Sequence, residues 1–211
     1  MIYDPPNDPL DILYRDEHLL IVNKPAGLLS VPGKPLEHRD CLQSRLEAEY
    51  PDTLLIHRLD HATSGVMVFA LTKLAQRHIN WQFERRQVSK TYVARVEGQL
   101  VADNGEIDLP LIADWPNRPR QKVCHETGKQ SKTGWKVLSR ESSATRVELY
   151  PKTGRSHQLR VHMKAIGHPI VGDTFYGDET LADRLHLHAT QLQFRHPDGG
   201  DPMTFYAEPQ F

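Results

Sequence analysis

Apolar residues come in short blocks with two rhythms. HLLIVNK (18–24) is an almost unbroken apolar run of strand length, closed by Pro25-Ala26-Gly27. Such a run predicts a buried strand. Ser64–Leu71 predicts a second strand, and KTYVARVEG (90–98) a third, with Tyr92 and Ala94 alternating against Val93 and Arg95. Runs at 134–139 and 145–150, joined by Glu-Ser-Ser, predict a hairpin, and 186–194 and 203–208 predict closing strands. The helical rhythm appears three times. In 40–50, Asp40 is placed to cap and Leu42 and Leu46 share a face with Tyr50. In 73–87, Ala75, Ile79 and Phe83 fall four apart. In 157–167, Leu159, Met163 and Ile166 share a side and Gly167 stops the helix. Strands outnumber helices, with neither βαβ alternation nor an internal repeat. The expectation is an α+β fold around a mixed, largely antiparallel sheet. Residues 99–133, rich in polar residues, Pro and Gly, read as a surface insertion.

Composition narrows the class. The chain has 211 residues, 38% of them hydrophobic. That suits one large domain or two subdomains around a shared core. No apolar run approaches the ~20 residues of a membrane span. The acidic, proline-rich start MIYDPPNDPLD is not a secretory signal. Cys41 and Cys124 lie far apart and form no C-x-x-C, which fits reduced thiols in the cytoplasm. The net charge of −1 hides a partition. Segments 73–95, 114–136 and 152–164 hold 16 of the 26 Lys+Arg but 3 of the 27 Asp+Glu, a net of +13 against −14 elsewhere. Were these segments to share a face, it would suit a polyanion.

Candidate chemistry is densest in HRLDHATSG (57–65), where a single carboxylate, Asp60, sits among two histidines and an arginine. Other constellations are weaker. Gly154-Arg155-Ser156-His157-Gln158 approaches the G-x-S-x-G elbow of serine hydrolases, but Gln replaces the last glycine. His186-x-His188 puts two imidazoles on one strand face with no acidic or cysteine cluster beside them. No phosphate-binding glycine loop is present. Trp81, Trp115 and Trp135 are scattered and read as packing residues.

HRLDHATSG resembles the H-R-L-D-x-x-T-S-G motif of the RluA family of pseudouridine synthases. NKPAGLLSVPG (23–33), KTYVARVEG and TGRSHQLRVHMKAIGHPIVGD (153–173) resemble further family segments in the family's order. LPLIADWPNRPRQKVCHETGK (109–129) is similar to the subgroup that modifies both 23S ribosomal RNA and transfer RNA. The resemblance implies the pseudouridine synthase catalytic fold, two subdomains with a central RNA-binding cleft. It implies a catalytic domain over 18–211 after an N-terminal extension (1–17), without an S4 domain. It also implies isomerisation of uridine to pseudouridine in structured RNA, with base flipping. The glycosidic bond breaks, the uracil turns, and a C–C bond forms to the same sugar carbon. No atoms enter or leave, so neither metal nor cofactor is expected.

The same resemblance assigns roles. Asp60 is the catalytic carboxylate, acting as a nucleophile at C1′ or as a base at C2′. One carboxylate suffices because no water is activated, unlike in glycosidases. Arg160 is its expected cationic partner, since a nearby cation keeps a water-poor carboxylate ionised. Tyr92 is expected to stack on the uracil and take the C5 proton, and Arg58 to fill the space of the flipped base. Leu59 and Leu159 are expected pocket walls; Lys90, Arg118, Arg120, Lys122, Arg155 and His157 are expected RNA contacts. The expected enzyme is a cytoplasmic monomer that meets RNA but no membrane and no required protein partner. Two other readings stand beside it: an RNA-binding module of the same fold without catalysis, and a hydrolase using Ser156 and His157.

Overall fold

The computed structural model describes residues 3–211. In chain order its elements are β1 (Asp11–Arg15), β2 (Leu19–Lys24), α1 (Leu42–Glu49), β3 (Leu54–Leu55), β4 (Ser64–Ala70), α2 (Lys73–Glu84), β5 (Ser89–Glu97), β6 (Asn104–Asp108), β7 (Leu111–Ala113), β8 (Gln121–Val123), β9 (Lys132–Arg140), β10 (Ala144–Pro151), α3 (Gln158–Ala165), β11 (Leu187–Arg195) and β12 (Pro202–Tyr206). Two compact units result. One runs to Lys90 and takes in Ala189–Gln210, and the other is Thr91–His188 with Phe211.

The first unit is built on the order β1-β2-β4-β11, with β12 on β11 and β3 on β4. The pairs β1 with β2, β2 with β4, β3 with β4 and β11 with β12 are all antiparallel. Strand β4 is buried along its whole length, as is nearly all of β2. That explains why both read as continuous apolar runs: neither presents a face to water. Leu19, Ile21, Val66, Val68 and Ala70 pack with Ala75 and Ile79 of α2 and with Leu192 and Phe194 of β11. Helix α2 forms as its spacing predicts, capped by the Thr72 hydroxyl, which accepts the Ala75 N–H at 3.1 Å. Helix α1 also forms, but its cap is Cys41, not Asp40. The Asp40 carboxylate is taken instead by one edge of the Arg45 guanidinium, whose Nε and Nη2 each donate to one of its oxygens at 2.7 Å. A bidentate ion pair outcompetes a single cap bond. Strand β1 lies inside what the sequence presents as an N-terminal extension, so the first strand begins at Asp11 rather than His18.

The second unit carries the sheet order β5-β10-β9-β6 and a separate β7–β8 hairpin. The predicted β9–β10 hairpin forms and is longer than the apolar runs alone suggest. The polar 99–133 stretch is not simply an insertion. Its first part is β6, an antiparallel partner of β9, and its middle is β7–β8. Both were hidden because their residues are mostly half-exposed, which blurs period-2 alternation. Helix α3 departs from a one-sided pattern: residues 158–163 are all buried, including Gln158, Arg160 and His162.

Gly65, at the start of β4, has φ +118°, and a Cβ there would lie 2.3 Å from the Ala189 carbonyl oxygen and 2.5 Å from its nitrogen. Gly199 has φ +76° with nothing within 4 Å. Gly65→Ala therefore combines strain with a backbone clash, and Gly199→Ala has strain alone. The expected losses are more than about 3 kcal/mol for Gly65→Ala and about 1–2 kcal/mol for Gly199→Ala. Urea midpoints of the two variants measure them, and similar midpoints would refute the close β4–β11 approach.

Candidate active site

Asp60 lies in the irregular segment between β3 and β4, half-buried. The peptide on each side of it is pinned. On one side, Ser30 Oγ accepts the Leu59 N–H at 3.1 Å and donates to the Leu59 carbonyl at 2.7 Å. On the other, the His61 carbonyl accepts the Gly27 N–H at 3.0 Å and a proton from Lys24 Nζ at 3.1 Å. Thr63 N–H closes the turn onto the Asp60 carbonyl at 3.1 Å. Lys24 itself ends β2 with 0% exposure. Its ammonium also donates to the carbonyls of Pro25 at 2.9 Å and Leu28 at 2.7 Å. Burial pushes the Lys24 pKa down to about 7, and the Asp60 charge opposes that shift.

The neighbours of Asp60 divide into scaffold and surface. His57 Nε2 accepts the Val68 N–H of β4 at 3.2 Å, and its ring stacks on Phe83 at 5.0 Å. Burial pushes the His57 pKa down to about 3, and the Lys90 ammonium adds to the shift. Accepting an N–H at Nε2 requires the neutral ring, so bond and shift agree. Lys90 sits 5.9 Å from the Phe83 ring centre, and burial lowers its pKa too. Leu59 is buried and Arg58 is exposed.

In the second unit the anticipated residues gather at the start of α3. Arg160 is buried, and its Nε and Nη2 donate to the two Asp173 oxygens at 2.7 and 2.6 Å. Asp173 is fully buried, and its Oδ1 also accepts the N–H groups of Phe175 at 2.9 Å and Tyr176 at 3.1 Å. The Arg160 guanidinium lies 5.1 Å from the Phe175 ring centre and 5.3 Å from that of Tyr176. His157 precedes the helix in the left-handed region, at φ +52°. Its Nδ1 is 2.7 Å from Tyr176 Oη, and that oxygen accepts the Gln121 N–H of β8 at 2.7 Å. Gln158 locks the preceding turn, accepting from Thr153 Oγ1 at 2.7 Å and from Arg155 N–H at 3.1 Å. Leu159 is buried, and Tyr92 is half-buried on β5 opposite Leu149.

Of the remaining anticipated contacts, Arg155, Arg118, Arg120 and Lys122 are exposed. The last three belong to the β7–β8 hairpin, and Lys122 pairs with Asp114 at 3.4 Å. Phe175 joins the hairpin to α3: Arg120 lies 5.8 Å from its ring centre, and His157 stacks on it at 5.6 Å. Lys24, Ser30, Asp173, Tyr176 and Phe175 all lie in or beside the quoted motifs, yet nothing in their spacing marks them. One signal did exist for Lys24: a lysine closing an apolar strand has to find acceptors. The tryptophans need correction. Trp135 is buried, but Trp81 is 45% and Trp115 65% exposed, so two of the three are not packing residues. His186 stacks on Phe211 at 4.6 Å, with Arg95 Nη1 3.2 Å from its Nδ1. Among the described residues no group of three or more His, Cys, Asp or Glu is placed to hold a metal ion.

Comparison with known proteins gives concordant matches. The family model described as RNA pseudouridylate synthase matches residues 18–165. The dual-specificity RNA pseudouridine synthase RluA of Yersinia pestis is 55% identical over 204 residues, covering 95% of this chain and 99% of that protein. Its Escherichia coli K12 counterpart is 54% identical over 214 residues, covering 99% and 98%. The solved structure of human RNA pseudouridylate synthase domain containing 1 superposes with a TM-score of 0.83 at 30% identity, covering 99% of this chain and 87% of that one.

His57 provides a test of the loop's scaffold. Its Cε1–H resonance should not titrate between pH 4 and pH 8. The unfolded ring takes its proton near 6.5, whereas the folded ring takes it near 3. Between those values the unfolded state binds more protons, so stability is lost as pH falls from 6.5 towards 3. His57→Gln removes that titration, and the gap between wild-type and variant stability should change across that window. A His57 resonance titrating near 6.5 would overturn the Val68 bond.

Proposed function

This chain belongs to the RNA pseudouridylate synthase family, and on that premise we propose that it isomerises selected uridines in the stem-loops of both 23S ribosomal RNA and transfer RNA. The observation that carries the reading is the Asp60 loop, whose carboxylate stands between two peptides held by Ser30, Lys24 and Gly27. A group that must meet one sugar carbon gains from such fixation, because misplacement by an ångström is costly in rate.

In this reading the C1′–N1 bond breaks and positive charge develops at the sugar. The Asp60 carboxylate meets that charge. The detached uracil turns in place and C5 bonds to C1′. The C5 proton then leaves and N1 ends with a proton, so the product is an isomer. Tyr92 supplies the ring that stacks on the uracil and the phenol oxygen that takes the C5 proton as its own proton passes to solvent. Arg160 supplies fixed positive charge, and its bidentate hold on Asp173 supports that role by fixing the guanidinium plane. Leu59 and Leu159 serve as apolar walls. Arg58, exposed next but one to Asp60, fills the stack vacated by the uridine. Lys90, Arg118, Arg120, Lys122, Arg155 and His157 contribute to RNA binding, and the enzyme acts as a cytoplasmic monomer.

The Ser156–His157 hydrolase reading has less support. His157 Nδ1 is held by Tyr176 Oη where a triad needs a carboxylate, and Gln158 stands where the nucleophile elbow needs a glycine.

Asp60→Asn keeps the shape of the residue and removes its charge. Turnover should fall at least about a thousandfold, with RNA binding near wild type, while the melting temperature should drop because the buried Lys24 ammonium loses its counter-charge. Substantial turnover by this variant, with reversion by deamidation excluded, would falsify the assignment. Arg58→Ala should slow single-turnover isomerisation of a folded stem-loop by about ten- to a hundredfold, since flipping costs a few kcal/mol. Its melting temperature should not change, and lysine should rescue poorly because an ammonium does not stack as a plane. A drop of several degrees with parallel losses on every RNA would make Arg58 scaffold instead.

Binding should also be salt-dependent. About five phosphate contacts at ~0.7 each imply a log–log slope near −3.5 on looped RNA. A slope near zero would remove the exposed basic residues from the interface.

A further inference from the structure

Trp115 has no role in the chemistry above, and its placement is unusual. A tryptophan carries the largest apolar surface of any side chain, yet this one is 65% exposed. It sits in the 114–120 connection at the tip of the β7–β8 hairpin, and the Arg118 guanidinium lies 4.0 Å from its ring centre. The tip is not slack. Asp114 N–H donates to the Arg120 carbonyl at 2.9 Å, Asn117 N–H to Asp114 at 2.9 Å and Arg120 N–H to Asn117 at 3.0 Å. Asn117 Nδ2 and Lys122 both hold the Asp114 carboxylate. Where the tip joins β8, Gln121 N–H is tied to Tyr176, and Arg120 rests against Phe175. The indole is thus displayed by a rigid arm and costs little further ordering on binding.

We propose that Trp115, braced by Arg118, is a stacking platform for one unpaired base of the RNA loop, a base other than the reacting uridine. This rests on the reading of the chain as an RNA-modifying enzyme. Three observations favour it. An aromatic face beside a guanidinium is the chemistry that holds an unpaired nucleotide, by stacking and cation–π attraction. The exposed charged side chains beside it, Arg118, Arg120 and Lys122, are basic, which suits the phosphates on either side of a stacked base. The only carboxylate of the tip, Asp114, is occupied by Asn117 and Lys122. The reacting uridine is ruled out as the occupant because its site must exclude water, and this ring is open to water. Trp115 is therefore a positioning residue: it sets which loop is presented and in what register.

The test separates stacking from charge and from scaffold. A folded stem-loop bearing the target uridine is titrated in a Trp81→Phe background, so that Trp115 is the strongly exposed indole. RNA binding should quench its fluorescence. Trp115→Ala should bind the stem-loop about ten- to a hundredfold more weakly, and Trp115→Phe should recover most of the loss. The log–log salt slope should be unchanged in Trp115→Ala, because no phosphate contact is lost. Arg118→Gln should shift that slope by about 0.7. Melting temperatures should match wild type. Replacing loop nucleotides one at a time by abasic residues should reveal one position at which wild type and Trp115→Ala bind equally.

Equal affinity of Trp115→Ala and wild type overturns the proposal and leaves the indole to a protein surface or to solvent. A loss of affinity with a parallel loss of salt slope also overturns it, because the hairpin would then act through charge alone. If wild type turns over the stem-loop in the same assay, either result leaves the enzyme reading intact. If wild type fails to isomerise any uridine, the enzyme reading fails first.

Discussion

The Lys24 ammonium is the constraint on which the Asp60 loop depends. It has three protons, and within the first unit it meets three carbonyls, those of Pro25, Leu28 and His61. Burying an ammonium is costly unless every proton finds an acceptor and an opposite charge lies near. Here both conditions hold, since Asp60 is the charge that pushes the Lys24 pKa back up. The consequence runs both ways. The lysine stays in place because the loop supplies His61, and the loop keeps its path because the lysine is there. Ser30 then fixes Leu59 by donating and accepting at the same peptide, which leaves Asp60 little freedom except at its own side chain.

Arg160 follows the same rule in the second unit. Its fork is set by Asp173, and Asp173 is set by two backbone N–H groups, Phe175 and Tyr176. A carboxylate that accepts from the main chain cannot drift without breaking the turn that holds it. Tyr176 extends the arrangement, since its hydroxyl lies between His157 and the Gln121 peptide. Helix α3, the turn after it and the β7–β8 hairpin are thereby coupled through Asp173 and Tyr176, side chains with no step of their own in the proposed reaction. Buried ionic pairs of this kind add little net stability, but removal of one partner strands the other.

The strands and helices with strong periodicity were legible in the sequence, because periodicity reports burial. β2 and β4 are apolar since both faces are covered, and α2 is amphipathic since one face is not. β1 and β6 were not legible, because an edge strand with half-exposed residues carries little pattern. The Asp40 cap failed for a related reason: local rules rank cap residues, but Arg45 is a competing partner whose bidentate geometry only the folded turn supplies. Among the candidate site residues, HRLDHATSG points to Asp60 by charge density and by resemblance. Ser30 and Asp173 stayed silent, since a residue that serves a backbone group leaves no spacing signal. The same blindness made Trp115 look like core.

Charge is where sequence counting and structure part most usefully. The three basic segments sum to +13 on paper. Three of their cations are paired with carboxylates from outside those segments, Arg95 with Glu141, Lys132 with Glu106 and Arg160 with Asp173. These pairs hold strands and a helix in place and do not present charge to a polyanion. What remains in the second unit is the exposed set of Arg118, Arg120, Lys122, Lys129, Lys136, Lys152, Arg155 and Lys164, of which Lys122 shares Asp114. A phosphate feels charges within about 8–10 Å at physiological salt. The carboxylates that bring the whole chain to −1 therefore do not cancel this set unless they lie within that distance. A protein can be neutral overall and still hold RNA, provided its basic residues are spent unequally: some inward on scaffold, the rest outward and near one another.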